Sequence, residues 1–191
     1  FPELGGRQGS VDTQSLQIFT QIAQDMGSSL DLESTIGSIL DNVGKLLPAD
    51  LLEVALWDST GEYFIPYRII GQPGGSRRLE QSRQRYRPDE GYTGYLARER
   101  KPLLIPDVAE FAELRQATDR TAFPLRSYLG LPLQAGDELI GTLELGTLSV
   151  NTFTAEDQEM LQLIAGQAAT AIHNALLYRD EQRRSAELSG L

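Results

Sequence analysis

Apolar residues recur at helical spacing near both ends of the chain and alternate in its middle. SLQIFTQIAQDMGSSL places Leu16, Phe19, Ile22, Ala23 and Met26 on one face of a predicted helix, stopped by Gly27 and two serines. Asp31 caps a second predicted helix, LESTIGSILDNVGKLL, in which Ile36, Ile39, Leu40, Val43 and Leu47 keep the same period, and Pro48 ends it. The pattern then changes. LLEVALW (51–57) and YFIPYRII (63–70) are short, apolar and joined by DSTGE, so they predict a hairpin. Pro66 cannot donate a backbone hydrogen bond, which puts the second strand at an edge or gives it a bulge. Residues 71–90 are polar and hold Arg77, Arg78, Arg83, Arg85 and Arg87. GYTGYLARER predicts a short helix, KPLLIPDV a strand ending in a turn, and FAELRQATDRTAFPLRS one or two helical turns.

SYLGLPLQAGDELIGTLELGTL is the clearest hairpin. Leu129, Leu131 and Leu133 alternate before AGD, and Leu139, Leu143 and Leu145 follow it. Register matters, because a slip of one residue turns every side chain to the other face. A two-residue Gly-Asp turn pairs Leu133 with Ile140. A three-residue loop pairs Leu133 with Leu139 and puts all the leucines on one face; this is the preferred reading, and it leaves Gly141 as room for something packed against the sheet. A long helix from about Ala155 to Arg184 closes the pattern, with Leu161, Ile164, Ala168, Ile172, Ala175 and Leu176 as its stripe. Its alanines keep that surface thin. Helices grouped at the chain ends around runs of strands indicate an α+β fold: an antiparallel sheet with helices on one face.

Composition narrows the function classes. The chain has 191 residues, 40% of them hydrophobic, the size of one domain with flanking helices. Residues 1–14 read as a disordered leader, 15–180 as the domain, and 181–191 as the start of a connecting helix, so the chain is expected to be a piece of a larger protein. No apolar run approaches the roughly 20 residues needed to cross a bilayer. The net charge of −10 argues against nucleic acid as the main partner. The absence of cysteine removes disulfides, thiolate metal sites, thiol catalysis and any thioether-linked chromophore. With His173 as the only histidine, a Ser-His-Asp site or a multi-histidine metal site has almost no material to work with.

DLESTIGSILDNVGKLLPAD, GYTGYLARERKPLLIPDV, LGLPLQAGDELIGTLELG and FTAEDQEMLQLIAGQAATAIHNALLY, in that order, resemble a GAF domain over roughly residues 16–180. The resemblance implies a central antiparallel sheet with N- and C-terminal helices on one face. Short helices and loops would cover a ligand pocket on the other. It also implies a cytoplasmic regulatory module within a signalling protein such as a sensor histidine kinase, and a homodimer through terminal helices bearing Leu16, Phe19, Ile22, Ile164, Ala168 and Ile172. The ligand is an unknown small molecule. The alternative is a ligand-free dimerisation module whose pocket is filled by its own side chains. Relatives that reduce methionine sulfoxide use cysteines, which this chain lacks, so no catalytic role is expected. No cofactor is expected either: there is no cysteine for a bilin, and His173 reads as a packed or surface residue rather than a haem ligand.

The resemblance makes Tyr92, Thr93 and Asp107 candidate pocket liners, since their element borders the pocket in the family. If the leucines of the last hairpin face the helices, Tyr128, Thr142 and Glu144 face the pocket, and Glu144 there would favour a cationic or amine-bearing ligand; in the other register Thr142 and Glu144 join the leucine face. Arg83 and Arg85 are candidate anion contacts, against the preferred reading of a solvated loop. NTFTAEDQE is ambiguous. Cyclic-nucleotide relatives carry Asn, Lys, Phe, Asp and Glu in this region; Asn151, Phe153 and Asp157 match, the Lys is missing, and Gln158 follows Asp157. The preferred reading is a helix start, with Thr154 as N-cap and Glu156 and Asp157 favouring the helix dipole.

Overall fold

The computed structural model describes residues 29–111 and 123–190, together with residues 17, 20, 21 and 24, which are helical. Leu16, Phe19 and Ile22, the leader, and most of the segment FAELRQATDRTAFPLRS lie outside the described residues. α1 spans Leu32–Leu46, and the Asp31 side chain caps it by accepting from the Ser34 N–H at 2.9 Å. β1 (Leu51–Trp57) and β2 (Phe64–Ile70) form the first hairpin, followed by a two-residue β3 (Glu80–Gln81). Then come α2 (Gly91–Glu99), β4 (Leu103–Ile105) and a 3-10 turn at Val108–Glu110. β5 (Ser127–Ala135), β6 (Glu138–Thr147) and α3 (Ala155–Ser189) complete the order.

The strands make one six-stranded sheet in the order β3-β2-β1-β6-β5-β4, antiparallel throughout. α1 and α3 cover one face. Their stripes, including Ile36, Ile39, Leu40, Ile164, Ala168 and Ile172, bury against Leu52, Val54, Leu129, Leu131, Leu143 and Leu145. β1 is buried on both faces, which is why LLEVALW reads as a nearly continuous apolar run. Pro66 fits because of its register. Its neighbour Phe64 exchanges backbone hydrogen bonds with Tyr86 on the outer side of β2, so the Pro66 nitrogen also points outward. There β3 pairs only with Tyr67 and Arg68, and no ladder bond is lost.

The last hairpin corrects the preferred register. The loop is a two-residue turn, Gly136-Asp137, between Ala135 and Glu138, and Gly136 has φ 62°. A glycine with positive φ at the first central position suits a type II′ turn. Leu133 nevertheless pairs with Gly141, not with Ile140 or Leu139, because a bulge inserts one residue of β6. Leu139 therefore packs on the opposite face from Leu143 and Leu145, against Ala55, Phe64 and Tyr86. The close neighbour at Gly141 is the sheet itself: a Cβ there would collide with the Ala55 carbonyl oxygen.

The NTFTAEDQE stretch is a helix start. Thr154 Oγ1 accepts from the Asp157 N–H at 3.2 Å, and Asp157 Oδ2 accepts from the Thr154 N–H at 2.9 Å. This reciprocal capping box uses Asp157 fully within the backbone. Phe153 is buried in the helix-side core.

Two glycines give a paired test. Gly141→Ala should destabilise the domain by about 1–3 kcal/mol or more, as overpacking does. Gly166, mid-helix in α3 with open space around it, should gain up to about 1 kcal/mol as alanine. Chemical denaturation of both variants checks this; a Gly141→Ala protein as stable as the parent would remove the bulge contact from the account.

Candidate functional site

The face of the sheet away from α1 and α3 carries a row of polar side chains in register. Arg68 on β2 pairs with Glu53 on β1, and Glu53 pairs with Glu144 on β6. All are buried, at 9%, 3% and 4% exposure. Hydroxyls from several elements converge on the carboxylates. Thr93 Oγ1 of α2 lies 2.9 and 3.2 Å from the two Glu144 oxygens. Thr142 Oγ1 donates to Glu144 Oε2 at 2.7 Å, and the Tyr128 hydroxyl donates to Glu144 Oε1. The Tyr86 hydroxyl donates to Glu53 Oε2 at 2.9 Å. The Tyr92 and Tyr128 rings lie 4.5 Å apart, tilted by 44°.

Local sequence explains this convergence. The β6 alternation that sends Leu143 and Leu145 to the helices sends Thr142 and Glu144 the other way. Gly91 has φ 64° and starts α2, and Gly94 lets it pack close to the preceding turn, since a Cβ there would sit 2.9 Å from the Pro88 carbonyl oxygen. α2 thus buries Tyr92, Thr93 and Leu96 over β5 and β6.

Two carboxylates in dry surroundings cannot both ionise cheaply. Burial pushes the Glu53 carboxyl up to about 8; the like charge of Glu144 adds to this, while Arg68 and the Tyr86 hydroxyl oppose it. Burial also raises Glu144, against the hydroxyls of Tyr128, Thr142 and Thr93, which favour its ionised form. Burial, followed by the Glu144 charge, holds the Tyr128 phenol well above its ordinary value. At neutral pH the pair therefore keeps a proton, on Glu53. Arg68 sends a guanidinium nitrogen to Ser82 Oγ, but its buried Nε has no hydrogen-bond partner among the described residues.

The structure brings together Tyr92, Thr93, Tyr128, Thr142 and Glu144 of the expected site. It leaves out Asp107, which caps the 3-10 turn by accepting from the Ala109 N–H at 3.0 Å and pairs with Arg126 at 3.6 Å. Arg83 and Arg85 are exposed, and Arg85 donates to the Ser82 carbonyl at 2.7 Å. Ile164, Ala168 and Ile172 are fully buried against the sheet, so they cannot form a dimer face. Glu53, Arg68 and Tyr86 were missed. Their signal was available: Glu53 and Arg68 are lone charges within apolar strand runs. His173 lines a separate groove of about 330 Å³ with Trp57, Asp58 and Arg183. Among the described residues, no three His, Asp or Glu side chains cluster as metal ligands, and no helix is long and apolar enough to cross a membrane.

An antiparallel sheet with two helices on one face and a hydroxyl-lined acidic row under a short helix defines a small α+β domain. Residues 29–173 match the family model described as GAF domain, and the chain belongs to that family. It is 29% identical over 140 residues to the Nif-specific regulatory protein of Herbaspirillum seropedicae, covering 70% of this chain and 24% of that protein. It is 25% identical over 173 residues to the anaerobic nitric oxide reductase transcription regulator NorR of Aliivibrio fischeri, covering 90% and 33%. The chain thus spans a third or less of the length of these relatives. The solved GAF domain of a phosphoenolpyruvate-protein phosphotransferase from Coxiella burnetii superposes with a TM-score of 0.71 at 20% identity, covering 90% of this chain and 99% of that one.

The proton on Glu53 has a consequence for stability. In the unfolded chain Glu53 titrates in the ordinary carboxylate range; in the folded chain it stays protonated to about 8. Its contribution is therefore complete below the ordinary range, falls as pH rises, and levels off above about 8. Glu53→Gln keeps an acceptor for Tyr86 and cannot ionise. From about pH 5 to about pH 9 the parent's melting temperature should fall more than the variant's. Parallel curves would place the proton elsewhere.

Proposed function

We propose that this chain is a regulatory sensing domain that binds a small molecule on the polar face and relays its presence through the sheet to α3. The observation that carries this is the Thr93–Glu144 contact. It ties α2, which lies over the polar face, to β6, whose alternate residues Leu143 and Leu145 pack against the helical layer. A ligand that engages Glu144 changes what holds α2. Only a difference in its affinity for two arrangements can shift their populations. α3 runs 35 residues and is exposed throughout from Asp180 to Ser189, so its last turns extend as an arm that suits output. The regulators among the relatives support a regulatory role for the larger protein; a histidine kinase gains no such support.

A second reading is favoured by closure. Tyr92, Tyr128, Glu53 and Glu144 are each 4% exposed or less, as in a self-filled domain that only aligns its neighbours. Thermal unfolding against nucleotides, amino acids, amines and organic acids separates the two. A ligand at about 100 times its Kd adds roughly 2.7 kcal/mol, which is about 5–10 °C for a domain of this size. A selective rise that disappears in Glu144→Gln is expected; a flat panel supports the alignment reading.

The homodimer moves to the outer side of α3. Leu163 and Leu177 are 66% and 55% exposed and lie two heptads apart, beside the half-exposed Tyr178. Light scattering at micromolar concentration should give a dimer for the parent and a monomer for Leu163→Glu/Leu177→Glu. A parent that stays monomeric would count against this face.

A further inference from the structure

Three buried ionisable side chains stand side by side on the polar face, and their pairing is incomplete. Among the described residues, no ion pair within 4.0 Å joins Arg68 to Glu53 or Glu144. Arg68 is 9% exposed, with its Nε unpartnered, and it neighbours Glu53 in register on the same face. A buried guanidinium donor without an acceptor costs free energy until one arrives. The two carboxylates show the complementary feature. They face each other across β1 and β6 and need a positive group or a proton between them. The row thus reads guanidinium, carboxyl, carboxyl across three neighbouring strands spaced about 5 Å apart.

We propose that this row recognises a small zwitterion of the α-amino acid class, whose ammonium sits between Glu53 and Glu144 and whose carboxylate meets the Arg68 guanidinium. The proposal rests on the sensing reading above and names its ligand class. An ammonium offers three donors. Two go to the carboxylates, and the third goes to a hydroxyl oxygen of Thr93 or Thr142. The Tyr92 and Tyr128 rings, 4.5 Å apart, add aromatic surface beside the cation. A carboxylate fits the planar fork of Arg68 better than a single-point acceptor would.

Neither half of such a ligand would satisfy the row alone. An amine leaves the Arg68 Nε unpaired. A carboxylic acid meets Arg68 but brings a further negative charge towards Glu53. The row also rejects neutral ligands, which cannot replace the proton held by the carboxylate pair. Entry requires α2 to lift, because Thr93 and Tyr92 are 2% exposed. That lift breaks the Thr93–Glu144 contact, the same contact that would carry the signal.

Binding should release a proton. The ammonium takes the place of the proton on Glu53, with Arg68, Tyr86, Tyr92 and Tyr128 the other titratable groups facing the pair. The observed binding heat would then vary with the ionisation enthalpy of the buffer. Affinity would rise with pH through the neutral range.

The test is calorimetric titration of the 191-residue chain with each common L-amino acid. The tightest one is then compared with its decarboxylated amine and its deaminated acid. The amine and the acid should each bind about 10- to 100-fold more weakly, the loss expected for one charge-assisted contact. Arg68→Gln should lower amino-acid affinity to that of the amine and leave the amine unchanged, with its thermal unfolding reporting that it folds. If the amine binds as tightly as the amino acid, the zwitterion proposal is wrong. It is also wrong if amino acids fail while a nucleotide or organic acid raises the melting temperature, and sensing then stands without it. If no class binds, the zwitterion proposal and the sensing reading fall together, and the alignment reading stands. The comparison on the unaltered chain decides the matter without any variant.

Discussion

The Glu144 carboxylate sets the terms for half of the molecule. An ionised carboxylate moved into dry protein costs several kcal/mol or more unless donors replace its water. Here the donors are Thr93 from α2, Tyr128 from β5 and Thr142 from β6 itself. Satisfying one side chain therefore fixes how a helix and two strands sit relative to one another. Apolar contacts alone would tolerate small slides of α2, since dispersion is not directional. The hydroxyl bonds do not, because they weaken steeply with distance and angle. The polar face owes its definition to this network, and the helix-covered face owes its stability to packing.

Glu53 extends the constraint to the centre of the sheet. β1 is the strand on which both faces depend: Leu52 and Val54 enter the helical core, while Leu51, Glu53 and Ala55 face the other way. A second carboxylate next to Glu144 looks unfavourable until its proton is counted. Held neutral, Glu53 costs far less to bury and keeps its bond from Tyr86. In this arrangement any group that replaced that proton would change the energetics of the polar face. Replacing buried charged groups by well-packed apolar residues of similar volume is often neutral or stabilising, so stability alone does not account for this pair.

The fold was largely legible, for identifiable reasons. The stripes of α1 and α3 repeat at the helical period over many residues, so single exceptions do not hide them. The α+β order followed from where strands and helices fall along the chain. The last register was not legible. A bulge changes pairing without changing composition, and the run of leucines read equally well with or without Ile140 set aside. The site was half legible. Tyr128, Thr142 and Glu144 followed from alternation in β5 and β6, and Tyr92 and Thr93 from the family resemblance. Glu53, Arg68 and Tyr86 were not legible, because the five arginines of residues 77–87 outweigh single charges as a pattern in the sequence. Charges in a solvated loop cost little and carry little information. A single Glu or Arg among buried strand residues is costly, and that cost is the better signal.

The alanines of α3 bear on how a change at the polar face would travel. Ala165, Ala168, Ala169 and Ala175 are all buried, at 4% exposure or less. Alanine has no side-chain rotamers with which to absorb a shift of its neighbours. A helix seated on such a surface must move with the sheet or separate from it. Long, flexible side chains at the same positions would damp a displacement of β5 or β6 within the core. Close-packed interiors transmit small displacements for this reason. The alanine surface that buries these positions therefore also seats α3 closely on the sheet.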